Sequence, residues 1–254
     1  MKKMISFLFI SFIAFYLFAA IYLYLNQRSF IFHPTDVVAH EFDEVVYENE
    51  GEQIKVITLN EHKDSAILYF GGNSESLAST VGNIDHLFSD FAGYLINYRG
   101  YGGSSGKPDE AGLFSDALHI YDELAGSYEK MYIIGRSLGS GIASYVASKR
   151  AVDKLILVTP FDSILNIAQK RYPIFPINYM LKDKFDTASV AENITAEVLV
   201  VIAENDQIIP RENTDRLVES LKKVTPKVKV FNDVDHINIS QDEDYYPLII
   251  DFLQ

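Results

Sequence analysis

The sequence contains no cysteine, and it is poor in positive charge. The absence of cysteine excludes a disulfide framework and any lipid-modified cysteine, whatever the compartment. With 22 Lys and Arg against 35 Asp and Glu, the formal net charge is −13. Because phosphate backbones are negative and no Lys/Arg cluster interrupts this pattern, nucleic acid is excluded as a partner.

Charged residues are also missing from a long run near the N-terminus. Residues 4–25 are almost entirely apolar, and about 20 apolar residues suffice for a helix to cross the hydrocarbon core of a bilayer. We therefore predict a transmembrane helix that anchors the chain through residues 1–28. A cleaved signal peptide is the alternative, but its apolar region is usually only about 7–15 residues long, and Ala19 and Ala20 are not followed by a good cleavage site.

The charges that flank this run predict its orientation. Lys2 and Lys3 precede it, whereas only Arg28 follows closely, so the positive-inside rule predicts a cytoplasmic N-terminus. After an extended connector over residues 26–42, the chain has the length of one α/β domain. Residues 29–254 are thus expected to form one extracytoplasmic domain, either periplasmic or extracellular.

Short apolar runs alternate with helical patterns from residue 45 onward. Alternating runs at 45–48 and 54–59 predict a hairpin that turns at residues 49–51. Further strands are predicted at 66–70, 93–97, 131–134, 155–158, 198–203 and 228–231, and helices at 76–89, 109–127, 138–150, 210–223 and 243–253. This order predicts an α/β fold, with a mainly parallel central sheet that helices cover on both faces.

Residues 162–195, called the lid segment below, interrupt the alternation of strands and helices. They contain Pro173 and Pro176 among aromatic and basic side chains, and they are too long for a simple connection. They predict a small lid or one wall of a substrate cleft. A crossover helix followed by a proline-bounded loop is an equally open alternative.

The pentapeptide Gly135-Arg136-Ser137-Leu138-Gly139 follows an apolar strand and precedes a helix rich in small residues. This strand-turn-helix context is the one in which G-x-S-x-G forms a nucleophile elbow. The two glycines avoid collisions that bulky side chains would cause beside the strained serine. Ser137 is the predicted nucleophile, and the N–H of Leu138 is a predicted oxyanion-hole donor.

A serine nucleophile needs a base, and the base needs a carboxylate that orients it. His236 and Asp206 each follow a predicted strand, at the sheet edge where α/β proteins place their ligand sites. None of the other five histidines has a comparable position. We therefore predict His236 as the base and Asp206 as the acid, with Asp162, which follows the 155–158 strand, as the rival for the acid.

The second oxyanion-hole donor is expected after the first buried parallel strand. Gly71-Gly72-Asn73 stands there, and glycines permit close approach of the backbone to a substrate. Asn73 or its immediate neighbour is the predicted N–H donor, and a plain glycine turn is the alternative.

Two other patterns are rejected as sites. Residues 100–108 resemble a phosphate loop, but Tyr101 and Pro108 stand where that motif requires glycine and Ser or Thr. The acidic residues 242–244 sit at a predicted helix N-terminus, where the helix dipole favours carboxylates. No metal and no cofactor are predicted.

Taken in order, these motifs resemble the α/β-hydrolase superfamily. Within it they are similar to compact membrane-anchored hydrolases related to protein depalmitoylases and serine aminopeptidases. The likeness extends over residues 27–34, the glycine loop, residues 97–102, the elbow, and the Asp206 and His236 segments. The resemblance implies an α/β-hydrolase fold that hydrolyses ester, thioester or amide bonds without a cofactor.

The sequence departs from these relatives at three points. Gly71 replaces the histidine of a common His-Gly-Asn motif, and Ala203-Glu204 replaces a common His-Gly before the acid. The cysteines that depalmitoylases carry at their termini are absent. The expected function is a membrane-bound serine hydrolase of a small lipophilic acyl ester or thioester. A serine peptidase or aminopeptidase, and a catalytically silent membrane-tethered binding protein of the same fold, are the alternatives.

Overall fold

The structure is a computed structural model that describes residues 2–254, and it begins with a long apolar helix. This helix, α1 (Lys2–Ile31), is a candidate membrane span: its 18-residue window has a mean hydropathy of 2.4 and contains no buried residue. The helix continues past the apolar run, so the prediction of an extended connector is wrong for residues 26–31. Gln27 and Ile31 are buried against the domain, and such tertiary packing stabilises turns that local sequence does not specify.

A single eight-stranded sheet forms the centre of the domain. Its strands are β1 (Asp43–Asn49), β2 (Glu52–Leu59), β3 (Ser65–Phe70), β4 (Ala92–Ile96), β5 (Lys130–Arg136), β6 (Lys154–Val158), β7 (Glu197–Ala203) and β8 (Lys227–Phe231). They lie in the order β1-β2-β4-β3-β5-β6-β7-β8. Strand β2 is antiparallel to β1 and β4, and the other neighbouring pairs are parallel. The predicted mainly parallel sheet is confirmed.

The predicted hairpin joins the first two strands. Asn49 pairs with Glu52, which leaves Glu50 and Gly51 as a two-residue turn with φ angles of 52° and 83°. Positive φ at both central residues fits the right-handed twist of the adjoining strands, and glycine adopts it without strain.

Helices follow most of the strands. Those outside the lid segment are α2 (Leu77–Ile84), α3 (Glu110–Ala125), α4 (Leu138–Lys149), α8 (Arg211–Ser220) and α9 (Tyr245–Leu253). The helix predicted at 76–89 ends as α2 at Ile84 and continues as a 3₁₀ helix, Asp85–Phe88. The other four helices occur near the predicted positions. They differ from the prediction at their ends, because caps and turns, rather than hydrophobic periodicity, set helix boundaries.

Two apolar cores lie on opposite faces of the sheet. Ile133 of β5 belongs to the core formed with α3, α4 and α8, whereas the adjacent Ile134 belongs to the core formed with α2 and α9. The same alternation at Leu157 and Val158 places one side chain in each core. Because both faces are covered, the strands are apolar at successive positions, as the sequence predicted.

The lid segment contains three short helices rather than one crossover helix. They are α5 (Ile164–Arg171), α6 (Ile177–Met180) and α7 (Thr187–Ala191). Phe185, between α6 and α7, is fully buried and packs edge-to-face against Phe32, just after α1. The segment therefore lies between the end of α1 and the carboxyl ends of the parallel strands.

Candidate active site

Ser137 stands between β5 and α4 in a strained backbone conformation. Its φ of 50° and ψ of −117° lie in a region that residues with side chains seldom adopt, at a cost of about 1–3 kcal/mol. The Ser137 N–H donates to the Val158 carbonyl at the end of β6, at 2.9 Å, which helps to hold this conformation. The sharp turn places the serine at the carboxyl edge of the sheet, as a nucleophile elbow requires.

The two glycines of the elbow are sites of close backbone packing. A Cβ atom on Gly135 would lie 2.5 Å from the carbonyl oxygen of Gly139, and one on Gly139 would lie 2.0 Å from the Phe70 carbonyl oxygen. Both distances are far inside van der Waals contact. The elbow therefore packs directly against the end of β3, where the Gly71-Gly72-Asn73 loop begins.

The structure brings His236 and Asp206 to Ser137. His236 Nε2 lies 2.9 Å from Ser137 Oγ, and His236 Nδ1 lies 2.7 Å from Asp206 Oδ2. The other Asp206 oxygen accepts hydrogen bonds from the N–H groups of Ile208 and Ile209, at 2.9 and 2.8 Å. With the carboxylate held in this way, a proton on Nδ1 is favoured, and Nε2 is left to accept the Ser137 proton.

Asp162, the rival for the acid, has a different set of partners. It is 1% exposed, and its Oδ1 accepts from Asn213 at 2.6 Å. Its Oδ2 accepts from Arg216 at 2.5 Å and from Asn166 at 2.7 Å. Both carboxylate oxygens thus accept hydrogen bonds from side chains of α5 or α8. Asp162 therefore connects the start of the lid segment to α8.

One predicted oxyanion-hole donor, Leu138, belongs to the elbow, and the other, Asn73, belongs to the adjacent glycine loop. A Cβ on Gly72 would be 3.9 Å from the Ser137 Cβ, so the glycine loop is adjacent to the serine. Leu138 begins α4, and the first N–H groups of a helix have no acceptor within the helix. Within residues 2–254, no hydrogen bond is made by the backbone N–H of either Asn73 or Leu138. Both N–H groups can therefore donate to a ligand oxygen.

Glu75 is a residue of this site that the sequence analysis did not identify. Its Oε2 accepts the Gly72 N–H at 2.8 Å, and its Oε1 accepts the Tyr69 hydroxyl at 2.9 Å. A Cβ on Gly71 would lie 3.2 Å from Glu75 Oε2, so the carboxylate fills space beside the position where relatives carry histidine. The sequence signal was the missing histidine at residue 71, but nothing local indicated what replaces it.

Arg136 connects the elbow with both neighbouring loops. Its Nη1 lies 3.8 Å from Glu75 Oε2, and its Nη2 donates to the carbonyls of His236 and Ile237, at 3.3 and 3.1 Å. Burial opposes the guanidinium charge, but the Glu75 carboxylate leaves the pKa of Arg136 above its ordinary value. Arg136, the second residue of the G-x-S-x-G motif, thus carries a permanent charge that connects the glycine loop with the loop of His236.

Tyr98 holds the glycine loop from its other side. Its buried hydroxyl donates to the Gly71 carbonyl at 2.7 Å. Burial, and then the nearby Glu75 charge, raise the pKa of Tyr98, so the phenol stays protonated as a donor. In the same motif, Tyr101 accepts the His33 N–H at 2.9 Å, which connects residues 97–102 to the chain just after α1.

Taken together, these groups can perform acyl transfer. A hydroxyl that shares a hydrogen bond with an oriented imidazole is set for deprotonation. Two free N–H groups beside it can stabilise the negative oxygen of a tetrahedral intermediate.

Comparison with known proteins identifies the family. Residues 65–192, half of the chain, match a family model described as alpha/beta hydrolase fold. An uncharacterized protein of Mycobacterium tuberculosis is 34% identical over 128 residues, which are 49% of this chain and 46% of that protein. The lysophosphatidylserine lipase ABHD12 of Xenopus tropicalis is 32% identical over 172 residues, 57% of this chain and 43% of the lipase.

The chain thus spans under half the length of these two relatives. The match to an uncharacterized membrane protein of Saccharomyces cerevisiae covers a larger share of both chains. The identity is 27% over 205 residues, which are 76% of this chain and 72% of the yeast protein.

Solved structures agree on the fold. An esterase of Pyrococcus furiosus superposes with a TM-score of 0.69 at 15% identity, covering 88% of this chain and 96% of the esterase. The Est1E protein of Butyrivibrio proteoclasticus, solved with ferulic acid, also gives a TM-score of 0.69 at 15% identity, over 82% of this chain and 97% of Est1E. The chain belongs to the α/β-hydrolase fold family.

Proposed function

We propose that this protein is a membrane-tethered serine hydrolase that cleaves a lipophilic acyl ester or thioester through an acyl-enzyme intermediate. The observation that carries the proposal is the hydrogen-bonded series from Ser137 Oγ through His236 to Asp206, at 2.9 and 2.7 Å. Its position at the carboxyl edge of the sheet is the usual ligand site of α/β folds.

In the proposed reaction, His236 accepts the Ser137 proton while Ser137 Oγ attacks the acyl carbonyl carbon. The oxyanion of the tetrahedral intermediate accepts hydrogen bonds from the N–H groups of Asn73 and Leu138. The C–O or C–S bond then breaks, and His236 gives its proton to the leaving group. Water, deprotonated by His236, hydrolyses the acyl-enzyme and restores Ser137, while Asp206 stabilises the imidazolium in both halves of the reaction.

A lipophilic substrate is supported by the relatives and by the first element. One group of relatives is named for lysophosphatidylserine hydrolysis, and the yeast relative is named as a membrane protein. Helix α1 is apolar enough to span a bilayer. We place the membrane anchor at residues 1–28 and the hydrolase domain at residues 29–254, on the side of the membrane opposite the N-terminus.

The serine assignment is tested with the Ser137→Ala variant of the full chain. A fluorophosphonate probe is expected to label the wild type and not the variant, and hydrolysis of a short 4-nitrophenyl ester is expected to fall by at least about 10⁴-fold. Ser148→Ala, on the same helix and away from the elbow, is the matched control and should keep both signals. Intact labelling and hydrolysis in Ser137→Ala would refute the proposed nucleophile.

A further inference from the structure

A second feature near the candidate site is an apolar pocket between α1 and the lid segment. Its volume is about 370 Å³, within the range of small-molecule pockets. Helix α1 contributes Leu23, Phe30 and Ile31 to its wall, and the lid segment contributes Ile167, Ala168 and Leu181. The walls thus come from a candidate membrane span on one side and from the lid segment on the other.

The pocket reaches the residues of the candidate site at two points. The carbonyl of Ile31, in its wall, accepts the side-chain amide of Asn73 at 2.6 Å. On the opposite side the wall includes Gln207 and Ile208, which directly follow Asp206. The pocket is therefore adjacent to both the oxyanion loop and the loop of the acid, although Ser137 and His236 do not line it.

Apolar side chains form most of the pocket lining, and the polar side chains that line it are those of Tyr24, Gln27, Arg171, Tyr172 and Gln207. Gln27 lines it, but its Nε2 donates to the carbonyls of Tyr24 and Met180, at 2.7 and 3.2 Å. Its Oε1 accepts the Lys182 N–H at 2.6 Å. With this amide already satisfied inside the protein, burial of hydrocarbon is the interaction that the pocket favours.

The lid segment also extends along the candidate membrane span. The Ile174 carbonyl accepts the Tyr16 hydroxyl at 3.0 Å, and the rings of Tyr16 and Phe175 stack at 5.1 Å. Tyr16 lies about 22 Å from Ile31 along α1, at about 1.5 Å per residue. Ile174 and Tyr179 are 70% and 87% exposed. An apolar face of the lid segment thus lies beside α1 within its apolar run, because Tyr16 stands nine residues inside the Leu25 end of that run.

We propose that this pocket binds the acyl chain of a lipid ester that enters sideways from the bilayer, between α1 and the lid segment. This inference rests on the proposed function and specifies its substrate class. The acyl chain lies against Leu23, Phe30 and Ile167, and the ester end of the lipid extends out of the pocket, past Ile31 and Ile208, to Ser137. The membrane helix is then part of the substrate site as well as an anchor.

Two matched pairs of substitutions in the full chain, reconstituted in lipid nanodiscs, test the pocket. Leu23→Trp and Ala168→Trp place an indole in it, whereas Leu25→Trp and Gln169→Trp place one on exposed surface of the same helices. The substrates are 4-nitrophenyl palmitate and 4-nitrophenyl butyrate. We expect the pocket variants to lose about tenfold or more in kcat/KM for palmitate, with butyrate hydrolysis and fluorophosphonate labelling nearly unchanged. The control variants should resemble the wild type.

The outcomes distinguish a failure of the acyl-pocket proposal from a failure of the proposed hydrolase function. An unchanged ratio of palmitate to butyrate hydrolysis in both pocket variants overturns the acyl pocket, and so does an equal change in pocket and control variants. A parallel loss of both esters, in variants that still label with the probe, overturns it as well. If the wild type neither hydrolyses 4-nitrophenyl butyrate nor reacts with the fluorophosphonate probe at Ser137, the proposed function itself is refuted.

Discussion

Gly139 occupies the most crowded position of the elbow, since a methyl group there would meet the Phe70 carbonyl at 2.0 Å. Backbone atoms cannot move aside as a flexible side chain can. We expect Gly139→Ala to destabilise the fold by about 3 kcal/mol, at the upper end of overpacking costs, and to abolish activity. Thermal unfolding and ester hydrolysis measure the two effects.

Gly141→Ala is the control for that prediction, on the same helix. A Cβ at Gly141 meets the side chains of Phe161 and Phe185 at 3.1 and 3.3 Å, and these rings can shift slightly. Gly141→Ala should therefore destabilise the fold clearly less than Gly139→Ala does. Equal effects at the two positions would show that helix packing in general, rather than the elbow, requires glycine.

Glu75 is expected to be a positioning residue, because it holds the Gly72 N–H one residue before the predicted oxyanion donor Asn73. We expect Glu75→Ala to lower kcat for a short ester by about 100-fold, with little change in KM, since a misplaced donor weakens transition-state stabilisation. Glu75→Gln keeps an acceptor oxygen and should recover part of the loss. Steady-state kinetics measure both.

The control for the Glu75 prediction is Glu243→Ala, which removes an exposed carboxylate from the start of the C-terminal region. It should leave kcat unchanged. A rise in KM with constant kcat in Glu75→Ala would contradict the positioning role and indicate that Glu75 contributes to ground-state binding instead.

Helix α1 is attached to the domain by polar contacts as well as by apolar packing. Buried Gln27 bonds to Met180 and Lys182 in the lid segment, and Arg28 Nε pairs with Asp183 at 2.8 Å. The lid segment is therefore held by α1 on one side and, through Asp162, by α8 on the other. Its position over the strand ends depends on both attachments.

Gln27→Ala should weaken the attachment of α1. It leaves the Lys182 N–H without its acceptor, at a cost of about 1–3 kcal/mol. For a domain of this size, about 2–4 °C is lost from Tm per kcal/mol, so a drop of several degrees is expected in detergent. Asn26→Ala is the control, because within residues 2–254 the Asn26 side chain bonds only to the Tyr22 carbonyl of α1 itself. A drop in Tm in Asn26→Ala as large as that in Gln27→Ala would refute the explanation that Gln27 attaches α1 to the domain.

The charges at the two ends of α1 predict an orientation for the whole molecule in a membrane. Lys2 and Lys3 precede the apolar run, and Arg28 follows it. The positive-inside rule therefore predicts that protease added to intact cells digests the hydrolase domain. A domain that is digested only after permeabilisation would show the opposite orientation.

Much of this arrangement could be predicted from the sequence, because it rests on local patterns. Period-2 and continuous apolar runs located the eight strands, and the strand-turn-helix context identified the elbow around Ser137. Asp206 and His236 were predicted from their positions after strands, since parallel strands end at the same edge. The proposed acyl pocket could not be predicted in the same way, because it is built from α1 and the lid segment, which are far apart in sequence.

The sequence by itself determined the fold class, the apolar first helix and the order of the motifs, because each depends on periodicity or on a short contiguous pattern. Only the tertiary structure decided that α1 continues to Ile31, that Asp162 ties the lid segment to α8, and that Glu75 stands beside Gly71. Each of these depends on a partner that is distant along the chain or on a gap that another side chain fills. Close packing in three dimensions, which no local pattern encodes, selects them.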